Sequence, residues 1–375
     1  MSKLDVVSLT EKLISIPSFV DDNTNEISLG QFVFDYLKNN SKLKVGKQIL
    51  SKGRFNVIAK NSETIDTMVV GHIDTVQPSR SWTKNPLKPK IIANRLYGLG
   101  SSDMKSGVAV MLDLATNENL KPDTMFLFYT DEEYDFLGMK GFVEKYRNLI
   151  KPKRIVSFDG SDLSVNNGCR GLIEISCTIK GKSGHAARPK SGVNAISRSY
   201  LLINGLTNWL GNYVSRNLGP TTSNLAYIAG GQYQGEKDGS LILGNQGNII
   251  ADICRFSLDI RPSRPELTAK KVIAFINEQA KKQGVELINS VIRHDLGSWS
   301  TPKKDIDLAG LTLPFRSAGQ TGYIDVQMLW QNFGQVPCFT IGAGNSMAHK
   351  PDEYVETDKV NKLAEIGKKL IINDI

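Results

Sequence analysis

The most constraining feature of this chain is the stretch Phe126–Gly138, FLFYTDEEYDFLG. Met125–Tyr129 is apolar and aromatic, enough for one buried strand, and it runs directly into Asp131, Glu132 and Glu133. Adjacent carboxylates at the end of a buried strand are costly unless something cationic lies beside them. In open α/β sheets ligands bind beyond the carboxyl ends of the strands, which is where these acids fall. Neighbouring glutamates can divide two tasks, one binding a metal and the other moving a proton. Taken alone, the pair reads as a solvated acidic turn; the other strands of the chain, which end in the same way, decide against that.

Read in order, Val6–Ile14 and Ile27–Leu37 have helical apolar spacing, and Phe55–Ala59 and Met68–Val70 are short apolar strands. The second strand leads into GHIDT at 71–75. A proline-containing loop and the turn-rich YGLGSSDMKSG follow, then a helix over Met104–Ala115 with Asp103 in an N-cap-like position. After the acidic strand come a helix at Lys140–Leu149 and a strand at Ile155–Phe158 that ends at Asp159. Strands alternating with helices predict an α/β fold with a doubly wound, mainly parallel sheet. Past Asn167 the pattern changes: strand Leu172–Ile179, helix Val193–Leu210, strands Asn224–Ile228 and Ile253–Ile260, helix Pro265–Gln283 and strand Glu286–Arg293. That βαββαβ order predicts a compact ferredoxin-like insert at 169–295. It interrupts a catalytic domain formed by 1–168 and 296–375, which resumes with helix Asp325–Asn332, strand Cys338–Ile341 and helix Asp358–Ile371.

With 375 residues and 40% apolar content, the chain can bury a full-sized core in one large or two ordinary domains. No apolar run is long enough to span a bilayer and the first residues lack a signal-peptide core, so no membrane partner is expected. Cys169, Cys177, Cys254 and Cys338 show neither CxxC spacing nor a disulfide framework, which predicts reduced thiols and a cytoplasmic location. The net charge of +8 comes from scattered lysines without interleaved aromatics, so nucleic acid is not expected as a partner.

His72, Asp103, Glu133, Asp159 and His349 each lie at or just beyond the carboxyl end of an expected strand, or in the loop after it. Imidazole with carboxylate and no thiolate suits zinc, cobalt or manganese. If one carboxylate bridges, the other four supply two ligands each to a two-metal site with room for a water. Asp74, two residues past His72, can accept the other imidazole N–H through its carboxylate and fix the tautomer; the alternative is a turn aspartate before Thr75.

GHIDT, GLGSSDMKSG, TDEE, SFDGSD, KGKSGHAARP and GAGNSMAHKPDEYV together resemble the ordered motifs of the di-zinc amidohydrolase and exopeptidase family of succinyl-diaminopimelate desuccinylase, acetylornithine deacetylase, aminoacylase and glutamate carboxypeptidase. The resemblance spans almost the whole chain. It implies the zinc-exopeptidase type of fold with an inserted lid that forms a homodimer contact. It also implies two divalent metal ions per chain, most simply zinc: His72 and Asp159 on one, Glu133 and His349 on the other, Asp103 bridging, and Glu132 as general base. His185 resembles the lid histidine that polarises the scissile carbonyl in the partner subunit's site. Asn224 matches a lid asparagine of similar task, and Arg261, in DIRPS, the arginine that engages a substrate carboxylate. Strand-end hydrogen bonding and a surface ion pair are the local alternatives for the last two. The chain departs from the pattern at Asp159-Gly160-Ser161, where desuccinylases carry glutamate. It departs again at Tyr323-Ile324, which replace two small polar residues, and at Ala343, where proline is usual.

Three functions fit these residues. The first is a deacylase of N-acyl amino acids and the second a metallo-exopeptidase acting on short peptides. The third is a non-catalytic anion-binding module, which has no need for Glu132.

Overall fold

The computed structural model describes residues 4–51, 53–320, 322 and 324–373. Tyr323, one of the departures named above, lies outside them. The chain forms two compact units, one from residues 1–167, 301–316 and 324–375, the other from 168–300 with 317–323.

The first unit is built on a six-stranded sheet in the order Lys44–Ile49, Phe55–Lys60, Thr124–Tyr129, Thr67–His72, Arg154–Ser157, Cys338–Thr340. The last four strands run parallel and the first two join antiparallel. Successive strands step outward in both directions from Thr67–His72, which is the doubly wound arrangement. Thr67–His72 and Thr124–Tyr129 are buried at every position because helices cover both faces of the sheet. On one face Val69, Phe126, Phe128 and Val156 pack against Leu9, Leu13, Val108, Leu112 and Leu363 of three helices. On the other, Phe142 of helix Leu137–Tyr146 meets Phe333, ring centroids 6.0 Å apart. Each such phenylalanine contributes about 1.5–3 kcal/mol by leaving water. The register sets His72 beside Tyr129 and Thr340 beside Ser157, so the loops after all four parallel strands leave from one edge.

Around Asp103 the local pattern misleads. Regular helix begins only at Ser106, after a π-helical turn over Ser101–Lys105. Asp103 itself is extended (φ −133°, ψ 99°), precedes a cis peptide and caps nothing. The capping role passes to Glu353, whose buried carboxylate accepts the N–H groups of Gly100, Ser102 and Asp103 at 2.9, 2.8 and 3.0 Å. The Asp103 carboxylate is thereby free to face elsewhere.

The second unit has an antiparallel sheet in the order Ser240–Gly244, Thr222–Lys237, Ile253–Arg261, Leu172–Lys180, Glu286–Leu296. Without its first strand this is the ferredoxin-like order. Ile173, Ile175, Cys177 and Ile179 alternate onto the face covered by Leu202, Leu206 and Leu210 of helix Ala195–Leu210, and by Val272 and Ile276 of helix Ala269–Lys282. The strand expected at Asn224–Ile228 is far longer and folds back as a hairpin with Ser240–Gly244. The alternation rule also overlooks Lys44–Ile49 and the short strands Lys90–Ile92 and Arg95–Tyr97. Among the described residues, no helix is long and apolar enough to cross a membrane.

Candidate functional site

His72 is the last residue of its strand and fully enclosed, with 1% of its surface exposed. Its Nδ1 lies 3.1 Å from the main-chain carbonyl of Asp74, which turns Nε2 towards the Asp103 carboxylate, 3.1 Å from Oδ1. The other Asp103 oxygen, Oδ2, lies 3.2 Å from His349 Nε2, and that nitrogen lies 3.0 Å from Glu133 Oε1. One carboxylate thus faces two imidazoles through its two oxygens. Three groups of donor atoms gather within 4.8 Å: His72 with Asp103 and Asp159; Asp103 with Glu133 and His349; and His72 with Glu132 and Glu133. Asp131 and His349, which set the angle of their loops, both hold left-handed backbone (φ 71° and 62°) that non-glycine residues avoid.

The Asp74 carboxylate does something other than expected. Its Oδ1 is 3.6 Å from His72 Nδ1, too far for a hydrogen bond. It accepts instead the N–H groups of Glu132 and Glu133, at 3.1 and 3.0 Å. The buried aspartate therefore fastens the two glutamates to the loop after the neighbouring strand, while its carbonyl orients His72.

The electrostatics of the cluster describe a deficit of positive charge. Burial raises Glu132 well above the usual carboxylate range, and Asp325, Glu133 and Asp159 push the same way against His72. Burial and the charge of Asp103 lift Asp159 to about 7. Asp103 is half-buried, and His349 and His72 hold it well below the usual range. His349 is pushed up to about 10 by Asp103 and Glu133. Four enclosed carboxylates share two imidazoles, and buried charge of one sign is unfavourable without compensation. A donor set of nitrogen and oxygen without sulfur, divided into two groups that share Asp103, fits a pair of divalent cations.

Three further residues were not evident from local patterns. Asp325 is fully buried, with Oδ1 accepting the Tyr129 hydroxyl at 2.7 Å, and burial lifts it to about 7. Glu353, which binds the N–H groups of Gly100, Ser102 and Asp103, and Arg54, which binds Glu26 and Asp131, act over sequence separations that spacing does not reveal.

The remaining expected residues belong to the second unit. His185 pairs with Ile249 in an isolated bridge, and its Nδ1 accepts the Ala187 N–H at 3.1 Å, which leaves Nε2 to carry the proton. Asn224 stands opposite Asp259 in the sheet. Arg261 is already engaged: its Nε and Nη2 bind the two Asp259 oxygens at 2.7 and 2.9 Å.

An interrupted α/β unit that gathers histidines and carboxylates at the carboxyl edge of its parallel strands has the architecture of a metal-binding hydrolase. Residues 68–373 match the model of peptidase family M20/M25/M40, and the chain belongs to that family, whose members hydrolyse amide bonds. It is 26% identical over 393 residues to an acetylornithine deacetylase of Buchnera aphidicola subsp. Schizaphis graminum, covering 98% of this chain and 97% of that one. Its structure resembles an M20 metallo-carboxypeptidase of Sulfolobus solfataricus, with TM-score 0.77, 15% identity and 98% of each chain covered. A dinuclear metal-binding M20 peptidase of Bacillus subtilis is also similar, with TM-score 0.68, 15% identity and coverage of 97% and 96%.

Proposed function

We propose that the chain is a deacylase that cleaves the amide bond of an N-acyl amino acid. The observation that carries the chemistry is the pair of imidazoles facing one shared carboxylate, with Glu132 pinned beside them by Asp74. His72 and Asp159 would hold one divalent ion, Glu133 and His349 the other, and Asp103 both. When bound, such ions lower the pKa of water and polarise a carbonyl. Glu132 takes the proton of the attacking water as its oxygen bonds to the acyl carbon. As the C–N bond breaks, Glu132 returns that proton to the leaving amine, giving a carboxylate and a free amino acid. Asp74 keeps Glu132 in place by accepting its N–H. His185, with its proton on Nε2, is suited to donate to the developing oxyanion.

We assign His185 to the site of a partner subunit in a homodimer. Residues 222–231 of strand Thr222–Lys237 pair only with Ile253–Arg261, and the strand meets Ser240–Gly244 only from Gln232 onward, so among the described residues one edge of 222–231 is open. Leu225, Tyr227 and Ile228 are exposed on that stretch, as are Ile196, Tyr200 and Leu201 on the helix packed against it. Apolar exposure along an open edge favours a self-complementary twofold contact. The four cysteines are all buried thiols, in keeping with a cytoplasmic location.

The deacylase reading draws its substrate from the acetylornithine deacetylase relative. One observation favours the alternative, a peptidase that selects the amino end of its substrate: Asp259 occupies one edge of the Arg261 fork, so a substrate carboxylate has only the other. A hydrolysis screen of N-acetyl and N-succinyl amino acids, their carboxamides, and di- and tripeptides, with zinc, cobalt or manganese added, separates the two. Preference for acids over carboxamides is expected; equal hydrolysis of both, with faster cleavage of peptides, would replace the deacylase by the peptidase.

A further inference from the structure

The turn that presents Glu132 and Glu133 is held from two sides. In front stands Asp74, as described above. Behind, Asp131 carries the left-handed backbone of the turn, accepts the Phe136 N–H through its carbonyl at 2.8 Å and accepts the Leu137 N–H through Oδ2 at 3.1 Å. Its remaining oxygen, Oδ1, receives Arg54 Nη2 at 2.5 Å. The same guanidinium donates from Nε to Glu26 Oε1 at 2.6 Å. Both carboxylates are enclosed, with side-chain exposures of 4% for Asp131 and 1% for Glu26.

Glu26 shows that this network is more than a local cap. It stands at the N-cap of helix Ile27–Asn40, yet its carboxylate caps none of that helix's N–H groups. Its second oxygen is buried without a hydrogen bond. Arg54 is what its carboxylate binds. The segment before it, 16–26, touches the other loops of the site as well. Lys105 Nζ, two residues past Asp103, donates to the Ile16 carbonyl at 2.9 Å. Thr75 N–H, next to Asp74, donates to Ser18 at 3.2 Å. Tyr134 Oη accepts the Val20 N–H and donates to the Thr75 carbonyl, both at 3.2 Å. Three site-bearing loops therefore lean on one short segment of chain.

We propose that Arg54 is a positioning residue for hydrolysis: by tying Glu26 to Asp131 it couples the segment 16–26 to the turn that presents Glu132 and Glu133. The proposal rests on the reading of Glu132 as base, and its test keeps the two apart. Arg54→Met, Arg54→Lys and the charge-neutral pair Arg54→Gln/Glu26→Gln are compared with the parent. Zinc-loaded enzyme is assayed on N-acetyl-L-ornithine, or on the peptide preferred in the screen above. Amide hydrogen exchange over 126–138 is followed in the metal-free chain. Arg54→Met is expected to lower kcat about 10- to 100-fold, the usual effect of removing a support behind a site, with KM within about twofold. Exchange at 132–137 is expected to rise about tenfold, while strand Thr67–His72 keeps its protection. Arg54→Lys, which keeps the charge without the two-pronged fork, recovers part of both. If Arg54→Met does not fold, the neutral pair carries the test, because it leaves fewer buried charges unmatched. Glu132→Gln serves as control. Turnover in that variant would remove the base assignment, yet the exchange data would still judge Arg54. Parental kcat and parental exchange in Arg54→Met or the neutral pair overturn the proposal. So does loosening spread evenly over the sheet, which marks a merely structural role.

Discussion

Replacing Asp74 by asparagine tests the division of labour between its carbonyl and its carboxylate. The main-chain carbonyl that orients His72 is untouched by the change, so the imidazole keeps its direction. The side chain, however, holds two N–H groups with two oxygens, and asparagine offers one oxygen and one NH2. One of the Glu132 and Glu133 amides then loses its acceptor and meets a donor in a buried space. A hydrogen bond to a charged group is worth about 1.5–3 kcal/mol. If that loss appears wholly as misplacement of Glu132 in the transition state, kcat falls about 10- to 150-fold, at 1.36 kcal/mol per factor of ten. Steady-state kinetics on N-acetyl-L-ornithine, at zinc occupancy matched by metal analysis, read the effect. The expected result is a lower kcat with zinc affinity within about threefold of the parent, since a support that acts on ligand orientation would instead weaken the metal by 10–100-fold. Parental kcat, or a defect that saturating zinc repairs, would refute the assignment and return Asp74 to a role acting through His72.

Glu132→Gln removes a base but no assigned ligand, so kcat is expected to drop about 10²- to 10⁴-fold, with zinc content and melting temperature unchanged. Chelation should abolish hydrolysis and zinc or cobalt restore it; Asp103→Ala, facing both imidazoles, should reduce zinc stoichiometry at both sites, whereas Glu133→Ala mainly affects one, as read by metal analysis. Mixing inactive His185→Ala chains with inactive Glu132→Ala chains under subunit exchange should regenerate some activity; heterodimers without recovery would place His185 in its own subunit's site or outside catalysis. Asp352 is held down to about 2 by the Thr83 hydroxyl and the N–H groups of Thr83 and Lys84. A folded-state pKa below the unfolded value of about 3.9 stabilises the fold above that value, and the contribution is lost as pH falls through the folded one. Asp352→Asn should therefore melt lower than the parent at neutral pH, with the gap narrowing between about pH 4 and pH 2 in thermal scans.

The parts of the site that were legible in the sequence are those written in local pattern. An apolar run ending in acids or histidine marks a buried strand and the loop beyond it, and that alone located His72, Glu132, Glu133 and Asp159. What escaped was decided by distant partners. Asp103 is named among the candidate ligands, but the cap expected of it falls to Glu353, 250 residues later, which accepts its N–H and two neighbouring ones. Asp74 sits at a spacing that allows its carboxylate to reach His72, but burial beside two amides without other acceptors gives that carboxylate different work. Arg54 lies 77 residues from Asp131, with no motif around it. In the second unit the alternation rule found the core strands and overlooked Ser240–Gly244, an edge strand with little buried surface to mark it.

The sheet of the first unit closes late. Strand Cys338–Thr340 pairs with Arg154–Ser157, and at a synthesis rate of about 5–20 residues per second roughly 10–40 s separate their emergence from the ribosome. During that interval the residues of the second unit are made. His349 and Glu353 emerge after Cys338–Thr340, so neither the second imidazole nor the cap over Gly100–Asp103 exists until then. The donor group of His72, Asp103 and Asp159 is therefore synthesised well before His349 completes the group it shares with Asp103 and Glu133.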